Sequence, residues 1–187
     1  LGGPGSGKGT QCARIAEEFG FSHVSTGDML RAEVEKESAV GVQVKEVMAK
    51  GELVSSALVL QVVKVQLEEL QSKCADEAGS RARVLLDGFP RSVDQVFLFE
   101  RSIGPPRFVL HFDAPEDVLQ ERLLGRGRAD DNMDTIKARF HTFQAQSQPA
   151  IDLYRALDCL VSIDATGSVD SVHTQVREKF IEKGLQP

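Results

Sequence analysis

Residues 1–20 read LGGPGSGKGTQCARIAEEFG, and two patterns overlap in them. Gly2, Gly7 and Lys8 fall on the G-x-x-x-x-G-K spacing of a phosphate-binding P-loop. Cys12, Ile15, Ala16 and Phe19 then recur at i, i+3, i+4 and i+7 with Gly20 as a stop, which predicts an amphipathic helix over Lys8–Phe19. Such a loop needs glycine because side chains would block backbone N–H groups from turning inward on an anion. Gly5, Ser6, Gly7, Lys8, Gly9 and Thr10 are the candidate phosphate ligands, with the Lys8 ammonium as a point charge and the helix contributing its positive end. The hydroxyl residue departs from the general pattern. Gly9 follows the lysine and Thr10 comes one place later, which favours contact with magnesium through water over direct coordination. A flexible glycine-rich terminus is the bland alternative, and the correctly phased helix argues against it. The motif implies nucleotide binding without separating kinases, GTPases and ATPases. It opens at Leu1 without an initiator Met or the strand such a loop normally leaves, so residues upstream of Leu1 are expected.

Outward from this stretch, strands alternate with helices. Phe21–Ser25 reads as a short strand, with turn and capping chemistry at Thr26, Gly27 and Asp28. Helical stripes then fill the chain to about residue 70: Val40, Val44, Val47 and Met48 up to Gly51, and a long helix capped by Ser55 or Ser56. Arg83–Asp87 and Phe108–Phe112 read as buried parallel strands, Leu160–Ile163 as another. Ser92 with Gln95 resembles a capping box, Pro115 opens a helix to about Leu124, Met133–Leu157 is mostly helical, and Ser168 caps a final helix. Alternation of this kind predicts an α/β fold with a parallel sheet covered on both faces.

Composition narrows the function classes. The 187 residues, 41% apolar and 27% charged, predict one domain with a subdomain or lid. A net charge of −6 supplies no field for nucleic acid or an anionic membrane, so a bound phosphate must be held locally. No apolar run has the length of a membrane span, and no export signal is visible. Cys12, Cys74 and Cys159 are widely spaced and form no disulfide or zinc pattern, which points to a reducing cytoplasm.

The discriminating evidence lies in what accompanies the loop: STGDMLR at 25–31, GELV at 51–54, DGFPR at 87–91 with Gln95, and RADDN at 128–132. Together and in this order they resemble the adenylate kinase family of nucleoside monophosphate kinases, over essentially the whole chain. The resemblance implies a P-loop NTPase-like three-layer α/β/α fold with a five-stranded parallel sheet. It makes residues 1–187 a single domain, with a helical monophosphate-binding insertion at about 26–54 and a short lid at about 125–133. It implies magnesium-dependent transfer from ATP to AMP by a monomer. Such a reaction needs two anions brought together in line and their charge cancelled, and planar guanidinium forks suit that task. By resemblance Arg31 and Arg91 hold the AMP phosphate, Arg126, Arg128 and Arg139 close on the transferring group, and Arg122 stacks on the ATP adenine. Lys8, Arg91, Arg126, Arg128, Arg139 and Asp87 would be catalytic, with Asp87 reaching magnesium through its waters or simply forming a turn. Asp130 and Asp131 either orient Arg128 and Arg139 or cap the next helix. Arg14, Arg101 and Arg177 read as solvated.

Two places bear on the acceptor base. Thr26 stands where the similar UMP/CMP kinases have Ala, and Gln95 where they have Asn. Gln95 can pair with N6 and N1 of adenine or close the capping box with Ser92. Glu52, Leu53 and Val54 offer backbone carbonyls to the base, Gly88, Phe89 and Pro90 complete the AMP side, and Gly167 either contacts the ATP adenine or merely opens the last helix. Between Gly127 and Arg128 the usual short lid has about four more residues, through deletion or an unrecorded loop. A UMP/CMP kinase is the alternative reading, and a non-catalytic nucleotide-sensing module of a larger protein the alternative from another class.

Overall fold

The computed structural model describes residues 1–75, 83–125, 127 and 132–186. Helix α1 spans Lys8–Phe19, and Gly20 closes it in the left-handed conformation, φ 68°. Strand β1 (Ser22–Ser25) hands directly to α2 (Thr26–Glu35), because the Ser25 hydroxyl caps the helix from Asp28 N–H. Thr26–Asp28 are therefore the first helical turn rather than a loop. Next come α3 (Ala39–Ala49), α4 (Ser56–Ala75), β2 (Val84–Asp87) and α5 (Val93–Ser102). The order ends β3 (Val109–Asp113), α6 (Glu116–Leu124), α7 (Met133–Thr142), α8 (Gln148–Ala156), β4 (Leu160–Asp164) and α9 (Val169–Glu182).

Among the described residues the strands form two parallel pairs, β1 with β2 and β3 with β4. Leu1–Gly2 runs along β3 through a parallel bridge from Gly2 to Phe112. All four residues of β2 are half-buried, not buried as expected, since β2 pairs with β1 alone among the described strands.

Side-chain alternation along β3 and β4 builds the layers. Leu110, Phe112, Val161 and Ile163 pack against Ile15 and Phe19 of α1 and Val172, Val176 and Phe180 of α9. Val109 and Leu160 turn the other way, onto Val96 of α5 and Tyr154 of α8. Phe180 is the centre of the first layer, with the rings of Phe19, Phe21 and Phe108 at 4.8, 5.8 and 5.4 Å. A separate apolar cluster joins α2, α3, α4 and α5. No helix among the described residues is long and apolar enough to cross a membrane.

Two local expectations need correction. Gln95 does not close a capping box with Ser92: its Oε1 accepts from Arg91 N–H at 2.8 Å, one residue upstream. Helix α7 is capped by Asn132, whose Oδ1 accepts from Thr135 N–H at 3.0 Å, so no acid of the preceding pair holds the cap. Between α7 and α8 the helix loosens into a π-helical turn, Phe143–Ser147. Pro149 explains it, because proline lacks a donor and its ring crowds the preceding turn.

Candidate active site

One open cavity of about 810 Å³ lies at the C-terminal ends of the strands. Its first wall is the loop. Gly5 and Gly7 have φ of 85° and 80°, the region glycine reaches freely. A Cβ on Gly5 would sit 2.4 Å from the Leu119 carbonyl oxygen, so the loop can press onto α6 only because that position has no side chain. Helix α1 starts at this loop with no side-chain cap and no acid in its first turn. The N–H groups of a helix's first turn have no partner within the helix, and its positive end favours an anion. Lys8 Nζ donates to the Gly2 and Gly3 carbonyls at 2.7 Å each and to Ser6 Oγ at 3.2 Å. This holds the ammonium across the loop. Gly9 and Thr10 continue the wall.

The floor comes from β1 and β2, whose register sets Ser25 beside Asp87. Burial pushes the Asp87 carboxyl up, but His23 and the Lys8 charge outweigh it and hold it below the usual carboxylate range. His23 Nε2 stands 3.4 Å from Asp87 Oδ2, an ion-pair distance without hydrogen-bond geometry. Beneath them the buried Cys12 thiol is pushed up to about 12, by burial first and the Asp87 charge second.

The opposite wall is made of guanidiniums. Arg91 Nε donates to the Gly88 carbonyl at 2.6 Å. Gly88 has φ 70°, and a Cβ there would meet Arg91 Nη2 at 2.6 Å, so the turn and the arginine fit each other only with glycine. Deep placement in the cleft, with Arg31 and Arg139 as like charges nearby, pulls Arg91 below the usual guanidinium range, although its surface still opens onto the cavity. It remains a cation. Arg31 pairs with Asp28, and Arg139 packs over Gly51. Three cations from α2, the turn after β2 and α7 thus converge on one space.

At the side of this wall Thr26 and Gln95 are buried yet line the cavity, as do Glu52, Leu53, Val54 and Pro90. Thr26 Oγ1 donates to the carbonyls of Asp87 and Gly88, both at 3.1 Å. Across the cavity Arg122 donates to the carbonyls of Ala165, Thr166 and Gly167 at 2.6, 2.9 and 3.2 Å, which ties α6 to the turn after β4. Phe89 is the exception among the described candidates. It is buried in the α2–α5 cluster with its ring 5.6 Å from that of Phe99, and does not line the cavity. Arg126, Arg128, Asp130 and Asp131, with most of the expected lid, lie outside the described residues.

A family profile for adenylate kinase matches residues 1–159. Adenylate kinase 1 of Schistosoma mansoni is 41% identical over 190 residues, covering 100% of this chain and 93% of that protein. Adenylate kinase isoenzyme 1 of Caenorhabditis elegans is 46% identical over 180 residues, covering 94% and 83%. The chain belongs to the adenylate kinase family. UMP-CMP kinase 2 of Oryza sativa subsp. japonica is also similar, 40% identical over 183 residues, covering 96% of this chain and 72% of that protein.

Family membership implies magnesium, and the residues fit it. Asp87 offers an ionised carboxylate oxygen near the loop, and a Cβ on Gly9 would reach only ordinary contact with it, 3.6 Å from Oδ2. Oxygen ligands shared with water and phosphate are what this hard cation accepts. The sequence reading missed other lining residues. Thr142 at the end of α7 and Phe143 and Ser147 of the π-helical turn line it too, and Ser147 Oγ donates to the Arg91 carbonyl at 2.9 Å. The signal for that turn was Pro149 inside a helical run. His23 was missed because nothing in SHVS marks its pairing with Asp87.

Proposed function

We propose that the protein catalyses ATP + AMP ⇌ 2 ADP with magnesium. The observation that carries the reading is the convergence of two anion-holding walls, the loop with Lys8 and the guanidiniums of Arg31, Arg91 and Arg139, on one cavity. In this reading the loop N–H groups and Lys8 grip the ATP phosphates, while Arg31 and Arg91 hold the AMP phosphate opposite. An AMP phosphate oxygen bonds the transferring phosphorus as its bond to the departing ADP oxygen breaks. The protein contributes alignment and charge cancellation and needs no covalent nucleophile. Asp87 and Thr10 would hold magnesium through water, and that ion neutralises phosphate oxygens when bound. Arg122 and Gly167 border the adenosine of ATP. Arg126 and Arg128 are assigned with Arg139 to the transferring group, in a lid at about 125–133.

For the acceptor, the hydrogen bonds suit a base edge with an amino group beside an unprotonated ring nitrogen, as in adenine and cytosine, and disfavour uracil. The donor of Thr26 is spent on two carbonyls, which leaves lone pairs for an amino group. Gln95 Oε1 is held by Arg91 N–H, which leaves its NH₂ to donate to a ring nitrogen. The insertion at about 26–54, carrying α2 and α3, would close over AMP and exclude water as a competing acceptor. The two strand pairs would belong to one five-stranded sheet, with Leu1–Gly2 on its fifth strand beside β3. Cys12 and Cys159 are free thiols, in keeping with a cytoplasmic setting. A coupled assay of ADP formation with AMP, CMP, UMP and GMP tests the reading: AMP should be the best acceptor, CMP equal to AMP would select the pyrimidine kinase, and no turnover would leave a nucleotide sensor.

A further inference from the structure

The floor of the cavity holds a cluster with chemistry that phosphoryl transfer does not use. Cys12 from α1, His23 from β1 and Asp87 at the end of β2 bring a thiol sulfur, an imidazole nitrogen and a carboxylate oxygen within 4.8 Å of one another. We propose that these three side chains form a binding site for a thiophilic divalent cation of the zinc class.

The donor set selects the ion. Sulfur and imidazole suit zinc and its neighbours, whereas magnesium takes oxygen ligands. Three protein ligands with a fourth position open to water is a common zinc arrangement. Zinc bonds of roughly 2.0–2.3 Å put two ligands of a tetrahedron about 3.3–3.6 Å apart. His23 Nε2 and Asp87 Oδ2 already stand at 3.4 Å, so side-chain rotation at Cys12 has little left to close. His23 Nε2 is buried and faces Asp87 Oδ2 outside hydrogen-bond geometry, so its contact with the carboxylate leaves room for a cation between them. His23 and Asp87 line the cavity while Cys12 lies beneath it, so a cation would arrive from the nucleotide side and keep its water there. The thiol proton leaves to solvent as sulfur bonds the ion, with no change of oxidation state. Binding itself is independent of the proposed reaction. Its consequence rests on that reading: Asp87 held by zinc is withdrawn from magnesium, so zinc inhibits.

The test titrates nucleotide-free protein with zinc by calorimetry and with cobalt(II) by absorption. One zinc per chain and a near-ultraviolet thiolate-to-cobalt band are expected. Cys12→Ala should lose the band and bind zinc at least ~10-fold more weakly, the loss seen when even indirect supports of a metal ligand are removed. It should keep magnesium-supported ADP formation and resist inhibition by buffered zinc. Undetectable binding, or equal zinc affinity in wild type and Cys12→Ala, overturns the site. His23→Gln removes a second ligand independently, and unchanged zinc affinity in that variant overturns the site whatever Cys12→Ala does. Binding as expected without ADP formation keeps the site and removes the proposed reaction. The reverse keeps the reaction and removes the site.

Discussion

The two walls of the cavity hold anions by different means. The loop wall is contiguous in sequence and made of backbone, with positive φ at Gly5 and Gly7, one lysine folded across it and an uncapped helix behind it. The arginine wall is assembled from α2, the turn after β2 and α7, and made of side chains. The first is set in place by local geometry and by close contact with α6. The second exists only once α2 and α7 pack beside the turn after β2. In the proposed reaction the rigid cradle grips the ATP phosphates, the transferring one included, whereas the arginine side supplies groups that close around the acceptor phosphate.

The loop wall breaks most easily at Lys8. Lys8→Met removes the one side-chain charge of the cradle and leaves its backbone intact, so kcat should fall about 10²-fold or more with native circular dichroism. Unchanged kcat would mean that the cradle binds without assisting transfer. On the arginine side the expected effect is smaller and falls on one substrate. Gln95→Ala removes the buried partner of Arg91 N–H and the proposed partner of the acceptor base, worth about 1–3 kcal/mol. The KM for AMP should rise roughly 10-fold to 100-fold with that for ATP little moved. A lowered melting temperature with both KM values unchanged would make Gln95 a purely structural residue. Thr26→Ala, measured alongside, should relax discrimination against CMP and UMP.

Gly88→Ala probes how the second wall is positioned. Alanine at φ 70° is strained, and its Cβ would push on Arg91 Nη2. About 1 kcal/mol or more of stability should be lost, visible in urea unfolding, together with weaker AMP binding. Stability loss alone would separate the turn from the substrate.

How much of this was legible follows the same division. Residues 2–20 announce the loop and α1 because every determinant is local, and the helix bounds follow from periodicity and Gly20. The arginines were legible through motif resemblance, not through physics, since nothing in the spacing of Arg31, Arg91 and Arg139 says that they converge. Phe89 shows the limit: a motif residue can serve the core, here against Phe99, while its neighbours face the cavity. The cap of α7 went to Asn132 because adjacent polar residues compete for one cap and sequence does not rank them. The Cys12, His23 and Asp87 cluster was invisible because its members sit on three elements.

The smallest effect concerns acid. Guanidiniums stay charged and backbone does not titrate, so neither wall responds directly to mild acid. His111 on β3, the strand beside Leu1–Gly2, does. Burial holds its imidazole below the ordinary value of 6.5, with the nearby Lys8 charge adding to the shift and Asp113 opposing it. The unfolded chain then takes up a proton that the native state refuses. Stability is full above pH 6.5 and falls as pH drops below it, until the native imidazole itself protonates. The Nδ1 atom is also buried without a partner, so removing the ring need not cost much. His111→Leu should unfold in urea near the wild-type midpoint at pH 7.5 and above it at pH 5.5. An equal acid loss in both proteins would move the sensitivity elsewhere.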